Sequence, residues 1–508
     1  MALAQVASRA LHGLHASAVT VEVYTANGLP SFVLVGLADT EVREARERVR
    51  AALEHSGLPY PGNQRITVNL APADLPKDSG RFDLPMALGL LAASGELPAP
   101  ALAPYVWAGE LSLNGSLRPV AGALAMARGL QHSGLSLVLP PHSAEQAAVV
   151  PHVQVIRAAS LAAVVQQLRQ PHAPNPGWTP LAHHAPPHVG YQGPSLADVH
   201  GHHAAKRALQ VAAVGGHSVL MCGPPGAGKS MLAQRLPSLL PPLNTQAALE
   251  AAAIAELAGQ PAIAHWGQPP LRAPHHSASA AALVGGGNPP RPGEATLAHL
   301  GVLFLDELPE FARPALEALR EPLETGTVRL ARAGHRAEYP ARFMLVAAMN
   351  PCPCGYHGSP RCRCSPERVA RYTSKISGPL LDRMDMVLHL QPVPHEQLLQ
   401  PPAPPPNGLA QAVHQARQRG LQRQGSTNAE LSGHALQQHT ALPPAERQWA
   451  EHAAQRLGWS ARRLHRVLRV ARSVADLDSS EPLTRAHLAE AMQYVRPIDL
   501  SRNPLIHD

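Results

Sequence analysis

The residues best suited to chemistry form a glycine-rich stretch near the middle of the chain. It reads Gly223, Pro224, Pro225, Gly226, Ala227, Gly228, Lys229 and Ser230, a complete G-x-x-x-x-G-K-S motif. An apolar run at 217–222 precedes it and MLAQRL at 231–236 follows it, so the motif joins a strand to a helix. Glycines let backbone N–H groups close around a phosphate, and the helix N-terminus adds a favourable field. The motif therefore predicts an ATP-binding P-loop in which Lys229 reaches the β- and γ-phosphates and Ser230 ligates Mg²⁺.

Two adjacent carboxylates provide the metal side of such a site. The run GVLFLDE at 301–307 contains four apolar residues, typical of a buried strand, and ends in Asp306 and Glu307. Asp306 would support Mg²⁺ together with Ser230, and Glu307 would polarise the water that attacks the γ-phosphate. Adjacent acids at a strand end are common by chance, but their combination with a P-loop favours ATP hydrolysis.

Three more polar residues could complete a hydrolytic site. Asn350 ends a third apolar strand, where it could position the lytic water. Arg383 follows a Gly-Pro turn in 377–390 and could meet a neighbouring subunit's nucleotide. Taken alone, such an arginine more often forms a surface salt bridge. Arg462 begins a helix in 460–477 and is a candidate γ-phosphate sensor. The later arginines of that helix are expected to form a solvated or nucleic-acid-facing stripe, namely Arg463, Arg466, Arg469 and Arg472.

Four of the five cysteines crowd into a short segment directly after Asn350. They form two C-x-C pairs, Cys352 with Cys354 and Cys362 with Cys364. Four thiolates could surround one Zn²⁺, which favours tetrahedral sulfur ligands. The alternative is a set of reduced cysteines in a turn-rich loop, because C-x-C is tighter than the usual C-x₂-C spacing.

Two segments are candidates for contact with DNA. Residues 324–340 predict a β-hairpin with a turn at 333–334 and arginines at Arg329, Arg332 and Arg336. In a ring such hairpins could grip phosphates through contacts that release counterions, although a solvated arginine face is an equal alternative. Residues 272–300 contain a run of glycines at 285–287 that predicts a flexible loop.

Composition excludes several classes of protein. The chain has 508 residues, of which 45% are hydrophobic, so bulk disorder is excluded. Five cysteines in this length do not make a disulfide scaffold. The net charge of +7 is mild for the length and does not by itself indicate an anionic partner. No window resembles a membrane span and the N-terminus lacks a signal peptide's apolar core, so we expect a cytoplasmic protein without a membrane partner.

The order of patterns predicts an α/β protein with several domains. We expect an α+β N-terminal domain, a first linker rich in proline and histidine, a βα-type ATPase core, a second proline-rich linker with a helix, and a C-terminal helical lid. The corresponding ranges are 1–168, 169–194, 195–391, 392–425 and 426–508. The N-terminal domain should contain strands at 19–26 and 65–72 and helices at 39–57 and 83–95, the second of them buried all round.

Several long phrases resemble the YifB/ComM family of magnesium-chelatase-like AAA+ ATPases. They lie at 28–57, 69–85, 272–311, 347–355 and 377–385, and the resemblance extends over about 1–391 and 441–495. It implies a bacterial hexameric ATPase, and ComM members act as helicases that drive DNA branch migration during natural transformation. By family pattern the residues for hydrolysis are Lys229, Ser230, Asp306 and Glu307, with Asn350 as first sensor, Arg383 as trans arginine finger and Arg462 as second sensor.

The chain departs from the family in two places. Gly201-His202 stands where members usually carry Gly-Gln, which puts the adenine contact in doubt, and the proline run 401–406 replaces the usual segment before the lid.

Residues 75–95 also resemble the Lon-type (S5) peptidase domain. Its nucleophile position falls near Asp83 and its lysine position near Ala123 or Leu124, and none of these can serve, so we expect a non-peptidase relative.

Two classes of function follow from these patterns. The first is an ATP-driven DNA motor that uses ATP and Mg²⁺, with a candidate Zn²⁺ site, and works as a self-assembled hexamer on single-stranded or branched DNA. The second is an AAA+ remodeller of protein complexes that does not act on DNA. The ATPase motifs are common to both, whereas the family phrases favour DNA.

Overall fold

The first part of the chain folds around an antiparallel sheet with one parallel strand. The computed structural model describes residues 2–36, 40–75, 77, 80–187, 190–287, 290–332, 335–394, 396 and 408–496. The first elements are β1 (Ala2–His12), β2 (His15–Ala26), β3 (Ser31–Val35), α1 (Thr40–His55), β4 (Arg65–Ala71) and α2 (Asp83–Ala93). The strand order is β1-β2-β4-β3, and only the β3–β4 pair is parallel. Helix α2 is buried on nearly every side, as its apolar sequence predicts.

A second sheet completes this part, which we call the N-terminal unit (β1 to β10). Its elements are β5 (Tyr105–Trp107), β6 (Glu110–Leu111), β7 (Leu117–Arg118), α3 (Ala123–Arg128), β8 (Ser136–Leu139), α4 (Pro141–Ala147), β9 (Gln154–Ala158), α5 (Leu161–Arg169) and β10 (Trp178–Leu181). The sheet order is β10-β9-β8-β5. Strand β10 lies inside the expected linker 169–194, so that segment is partly ordered structure. Its Trp178 is buried, with its ring 6.0 Å from that of Trp107, and this aromatic packing outweighs the proline-rich composition.

The middle of the chain forms a parallel sheet with helices around it. Its elements are α6 (His203–Gly215), β11 (Val219–Cys222), α7 (Lys229–Arg235), α8 (Thr245–Leu257), β12 (Leu271–Arg272), β15 (Val302–Leu305), α11 (Arg313–Ala318), α12 (Arg320–Thr325), β18 (Met344–Met349), α13 (Pro366–Thr373), α14 (Gly378–Leu381) and β19 (Met386–His389). The order is β12-β15-β18-β11-β19, all parallel. Strands β11, β15 and β18 are fully buried, which explains their unbroken apolar runs.

Two insertions interrupt this core. The first contains α9 (Ala280–Val284), β13 (Gly285–Gly286), β14 (Arg291–Pro292) and α10 (Glu294–Leu297), and the second is a hairpin of β16 (Thr327–Arg332) and β17 (His335–Pro340). The glycines at 285–286 pair with β14, so the expectation of a merely flexible loop there is wrong. A Cβ on Gly285 would lie 2.5 Å from the Arg291 carbonyl oxygen, and this close backbone approach requires glycine. The hairpin is present as predicted, while its turn at 333–334 lies outside the described residues.

The C-terminal region is helical. Its helices are α15 (Leu409–Gln424), α16 (Gly433–His439), α17 (Pro444–Arg456), α18 (Ala461–Leu477) and α19 (Arg485–Tyr494). Buried residues of α15 and α18 share one apolar cluster with α6 of the core. The proline run 401–406 and residues 497–508 lie outside the described part of the chain. Within the described residues, no helix is both long and apolar enough to span a membrane.

The N-terminal unit docks onto the core through α8. Buried residues of α3 and α4 share an apolar cluster with Leu249 and Ala253 of α8. In the middle of this contact, Glu256 accepts hydrogen bonds from the backbone N–H groups of Ala123 (2.7 Å) and Leu124 (3.0 Å) at the start of α3. The carboxylate thus caps a helix of the other unit. Burial raises the pKa of Glu256 to about 7, although the hydrogen bonds from these amides act to lower it.

Candidate functional site

The parallel sheet brings three predicted polar segments to one edge. The P-loop follows β11, Asp306 and Glu307 follow β15, and Asn350 follows β18. Because these strands are parallel neighbours in the order β15-β18-β11, their carboxyl ends meet. Ligands of open α/β sheets bind at this edge.

Within the P-loop, two glycines adopt backbone conformations that other residues avoid. Gly226 and Gly228 have φ of 76° and 78°, and Gly228 is the residue from which α7 begins. The Lys229 ammonium donates hydrogen bonds to the carbonyl oxygens of Gly223 (2.8 Å) and Pro224 (2.9 Å). It also donates to Oδ1 of Asn350 at 2.9 Å, so two predicted site residues are in direct contact. Burial lowers the pKa of Lys229, while nearby carboxylates raise it.

The predicted metal ligands are also in contact. Ser230 Oγ donates a hydrogen bond to Oδ2 of Asp306 at 2.5 Å. The second oxygen of Asp306 accepts a 2.9 Å hydrogen bond from the backbone N–H of Glu307. A hydroxyl beside a carboxylate at the start of a helix is an oxygen donor set suited to Mg²⁺, so these residues fit the predicted metal.

Sequence reasoning missed a partner of Glu307. His276 Nδ1 lies 3.2 Å from Glu307 Oε2, although His276 belongs to the insertion that follows β12. Glu307 itself has a φ of 53°, a left-handed conformation that is uncommon for a residue with a side chain. The position of His276 beside the candidate base links the insertion to the site. The only indication in the sequence was the pair His275-His276 inside a family phrase.

His202, which stands where the resemblance implies a glutamine, lies beside the P-loop. A Cβ on Gly228 would be 3.1 Å from His202 Nε2, so the ring packs against this glycine. His202 has a φ of 51° and precedes α6. Burial, and then the charge of Lys206, lower the pKa of His202, which favours the neutral imidazole. A neutral ring at this place can contact a nucleotide without adding charge.

The two predicted arginines lie at the opposite edge of the sheet. Met386 begins β19 opposite Val219, the first residue of β11, so Arg383 is close to where β11 starts. The P-loop begins where β11 ends, four residues later and about 13 Å away at 3.3 Å per residue. Arg462 reaches Asp382 at 3.3 Å, which places it next to Arg383. Both arginines therefore lie apart from the P-loop of their own chain.

A cavity of about 830 Å³ opens at that opposite edge. Arg383 and Arg462 line it together with Arg342, Asp382 and Glu324, and no residue of the P-loop does so. Arg383 is ion-paired with Glu324, and its Nε atom is buried without a hydrogen-bond partner. This mixed-charge cavity is a separate surface from the P-loop edge.

The later arginines of α18 do not form the expected exposed stripe. Each binds a group of this chain: Arg463 the Val495 carbonyl, Arg466 the Asp382 carbonyl, Arg469 the Ala429 carbonyl and Arg472 the Asp476 carboxylate. Arg472 is only 4% exposed. The other three are half-buried, and tertiary contacts that helical periodicity does not reveal bind all four side chains to other parts of the chain.

The predicted DNA and zinc residues occupy two further places. On the hairpin, Arg329 pairs with Glu338 at 3.1 Å, Arg336 is exposed, and the side chain of Arg332 lies outside the described part.

The four cysteines of 352–364 place their sulfur atoms within 4.8 Å of one another. The fifth, Cys222, is buried in β11, and burial raises its pKa to about 12.

The positions that the resemblance to Lon-type peptidases implies lie in the N-terminal unit, at Asp83 and at Ala123 or Leu124. Asp83 is buried and its carboxylate accepts hydrogen bonds from Arg48 Nε (2.7 Å) and Nη2 (3.1 Å). Burial raises the pKa of Asp83 to about 6, against the lowering effect of Arg48. At the lysine position, the backbone N–H groups of Ala123 and Leu124 donate hydrogen bonds to the Glu256 carboxylate.

Comparison with known proteins agrees with this geometry. Three family models match: magnesium chelatase, subunit ChlI, over residues 195–398; subunit ChlI of Mg-chelatase over 21–144; and the ChlI C-terminal model over 406–495. The chain is 45% identical to YifB of Escherichia coli (strain K12) over 98% of both chains. It is 43% identical to the competence protein ComM of Haemophilus influenzae over 97% of both, and 40% identical to Mb2921c of Mycobacterium bovis over 94% of this chain and 95% of that protein. The chain therefore belongs to the YifB/ComM family of magnesium-chelatase-like AAA+ ATPases, a membership that implies use of ATP and Mg²⁺.

Proposed function

We propose that this chain is an ATP-driven motor that acts on DNA as a hexameric ring and promotes branch migration in recombination and natural transformation. The observation that carries the ring is the division of the site between two edges of the sheet. Lys229, Ser230, Asp306, Glu307 and Asn350 lie at one edge, and Arg383 with Arg462 at the other. A neighbouring chain would bring its arginines to the nucleotide and complete the site.

Each residue of the P-loop edge has a proposed task. Lys229 and the P-loop amides would bind the phosphates of ATP, and Asn350 would position the attacking water. Glu307 would accept a proton from that water. Ser230 and Asp306 would hold Mg²⁺, which neutralises charge on the phosphates.

The choice of DNA as the substrate has two supports. One is the relationship to the competence protein ComM, and the other is the exposed arginine Arg336 on the hairpin. Few aromatic side chains accompany it, so contact with the phosphate backbone, independent of sequence, is the proposed mode of binding. We place this activity in the cytoplasm.

We also propose that the N-terminal unit is a Lon-protease-like domain without peptidase activity. Asp83 is held by Arg48, and the peptidase lysine position is a capped helix start. Its extensive contact with α8 suits a role in assembling the ring or presenting DNA.

The test is branch migration of a labelled four-way DNA junction by the purified protein, with and without ATP. We expect junction movement that requires ATP and is lost in Lys229→Ala, together with ATP hydrolysis that DNA stimulates and salt suppresses. ATP hydrolysis without junction movement or stimulation by DNA would overturn the DNA motor in favour of a remodeller of protein complexes.

A further inference from the structure

The four-cysteine loop has the geometry of a closed metal site. The sulfur atoms of Cys352 and Cys354 are 3.3 Å apart, and that of Cys362 lies 3.9 Å and 3.7 Å from them. Cys364 belongs to the same group, in which all ligand atoms lie within 4.8 Å of one another. Tetrahedral zinc with Zn–S bonds of about 2.3 Å separates its sulfurs by about 3.8 Å. The observed spacings bracket that value.

Local turns of the backbone bring the two C-x-C pairs together. The Gly355 N–H donates to the Cys352 carbonyl at 2.9 Å, and Gly355 has a φ of 85°. On the other side, the Cys362 N–H donates to the Ser359 carbonyl at 3.0 Å. One tight turn thus spans the first pair of cysteines and the other directly precedes the second pair.

The surroundings suit a bound cation with thiolate ligands. Cys352 is buried, while the other three cysteines are half-buried, so an ion could enter from the surface. Four thiolates around one divalent ion carry a net negative charge, which the neighbouring exposed Arg361 and Arg363 would offset. An all-sulfur set selects zinc or iron over magnesium or calcium. An iron–sulfur cluster would place iron and sulfide between the thiolates and hold them farther apart.

The same loop touches the ATP site. It leaves β18 directly after Asn350, which binds Lys229. A Cβ on Gly355 would lie 2.4 Å from Cδ of Pro225, so the loop backbone rests on the P-loop. A rigid loop at this place would fix the position of the P-loop relative to β18, the strand that ends before Asn350.

We propose that Cys352, Cys354, Cys362 and Cys364 bind one Zn²⁺, and that this structural site braces the P-loop through Gly355 and Pro225. With four protein ligands the ion has no open position, so its role is structural rather than catalytic. The bracing of the P-loop depends on the proposed ATP site, whereas the zinc site does not depend on it.

The first experiment measures metal in the purified full-length protein by mass spectrometry. We expect one zinc per chain in the wild type and in Cys222→Ala, which removes the cysteine outside the cluster. The double variant Cys354→Ser with Cys362→Ser should hold almost none. A chain that contains iron instead, or that takes up no zinc under anaerobic conditions with its thiols reduced, would overturn the proposal.

A second measurement uses the wild type, because the double variant could lose zinc by misfolding. Titration of the thiols with a mercurial should release zinc in step with the reaction of the cluster, and a cobalt-loaded protein should show the absorption bands of tetrahedral thiolate coordination. Zinc release that does not follow the thiols, or octahedral cobalt spectra, would contradict the four-cysteine site.

The brace is tested by the affinity for a fluorescent ATP analogue before and after zinc removal. We expect affinity to fall several-fold and to return when zinc is restored. Unchanged affinity, with zinc bound and lost as expected, would overturn the brace and leave ATP binding itself demonstrated. Absence of analogue binding in the zinc-loaded protein would instead contradict the proposed ATP site.

Discussion

At the scale of single residues, the P-loop edge is a network of charges and dipoles already in contact. Lys229 is directed at Asn350 and at the carbonyls of its own loop, and Ser230 at Asp306. These bonds hold the side chains near the positions at which phosphate and metal would meet them, so less ordering remains to be done on binding. The residue with an unforeseen neighbour is Glu307.

Replacing His276 tests the control of Glu307. At 3.2 Å the imidazole can donate a hydrogen bond to the carboxylate, which then has less freedom to accept a proton from water. We expect His276→Ala to raise basal ATP hydrolysis, by at most about tenfold if the bond contributes ~1.4 kcal/mol, with little change in KM. Steady-state ATPase assays without DNA measure this.

The matched control is His275→Ala, because His275 bonds Ser277 and contacts His276 only through its ring, 4.0 Å away between centroids. It should leave the rate near that of the wild type. His276→Asn retains a donor and should restore part of the restraint. A loss of rate in His276→Ala as deep as that of Glu307→Gln would contradict the restraining role and show that the imidazole assists hydrolysis.

At the scale of elements, the parallel sheet explains why residues 76 to 121 positions apart along the chain meet at one edge. The same geometry sends Arg383 and Arg462 to the other edge. A second element-level feature is the contact between α8 and α3, where a carboxyl group of one unit caps a helix of the other. This contact should respond to pH.

Docking of the N-terminal unit should weaken as pH rises from about 4.5 to 7. The pKa of Glu256 is raised from 4.5 to about 7, so the docked state holds a proton that the exposed carboxyl has already lost. The stability is therefore fully present below 4.5 and is lost as pH rises through 7, by at most about 3 kcal/mol. Urea unfolding at a series of pH values measures it.

Glu256→Gln should remove this pH dependence, because the amide does not titrate in the range. Glu145→Gln, which replaces an exposed carboxylate of α4, is the control and should retain the wild-type slope. The opposite result would be a free energy of unfolding that rises between pH 5 and 7 in the wild type but not in Glu256→Gln. It would contradict the prediction and show that Glu256 is charged in the docked state over this range.

At the scale of the whole molecule, the proposed ring requires that one chain hold two half-sites, which would face different neighbours. Mixing two inactive variants tests this arrangement. Lys229→Ala keeps its arginines and Arg383→Ala keeps its P-loop, so a ring that contains both should hold some complete interfaces. Random mixing at equal amounts gives about a quarter intact interfaces, and we expect ATPase activity to recover to a corresponding extent.

The control mixes Lys229→Ala with the double variant Lys229→Ala and Arg383→Ala, in which no interface can be complete. It should stay inactive. If mixing the two single variants also gave no activity, although gel filtration showed mixed rings, Arg383 would not act across the interface.

Sequence patterns predicted much of this molecule at the level of local structure. The buried strands β11, β15 and β18 were visible as apolar runs, and the hairpin β16–β17 as two short segments on either side of a turn. Strand β10 was not, because its Trp178 is ordered by packing on Trp107, which is distant in sequence. The tertiary contacts of the α18 arginines were missed for the same reason.

What the sequence by itself determined is the chemistry: the P-loop, the Asp306–Glu307 pair, the cysteine cluster and the family to which they belong. Such features depend on residue type and on short spacings, which a chain carries before it folds. Only the tertiary structure decided that His276 reaches Glu307, that Glu256 caps α3, and that Arg462 stands beside Arg383. Contacts between distant segments depend on strand order and on packing between units, and neither follows from local patterns.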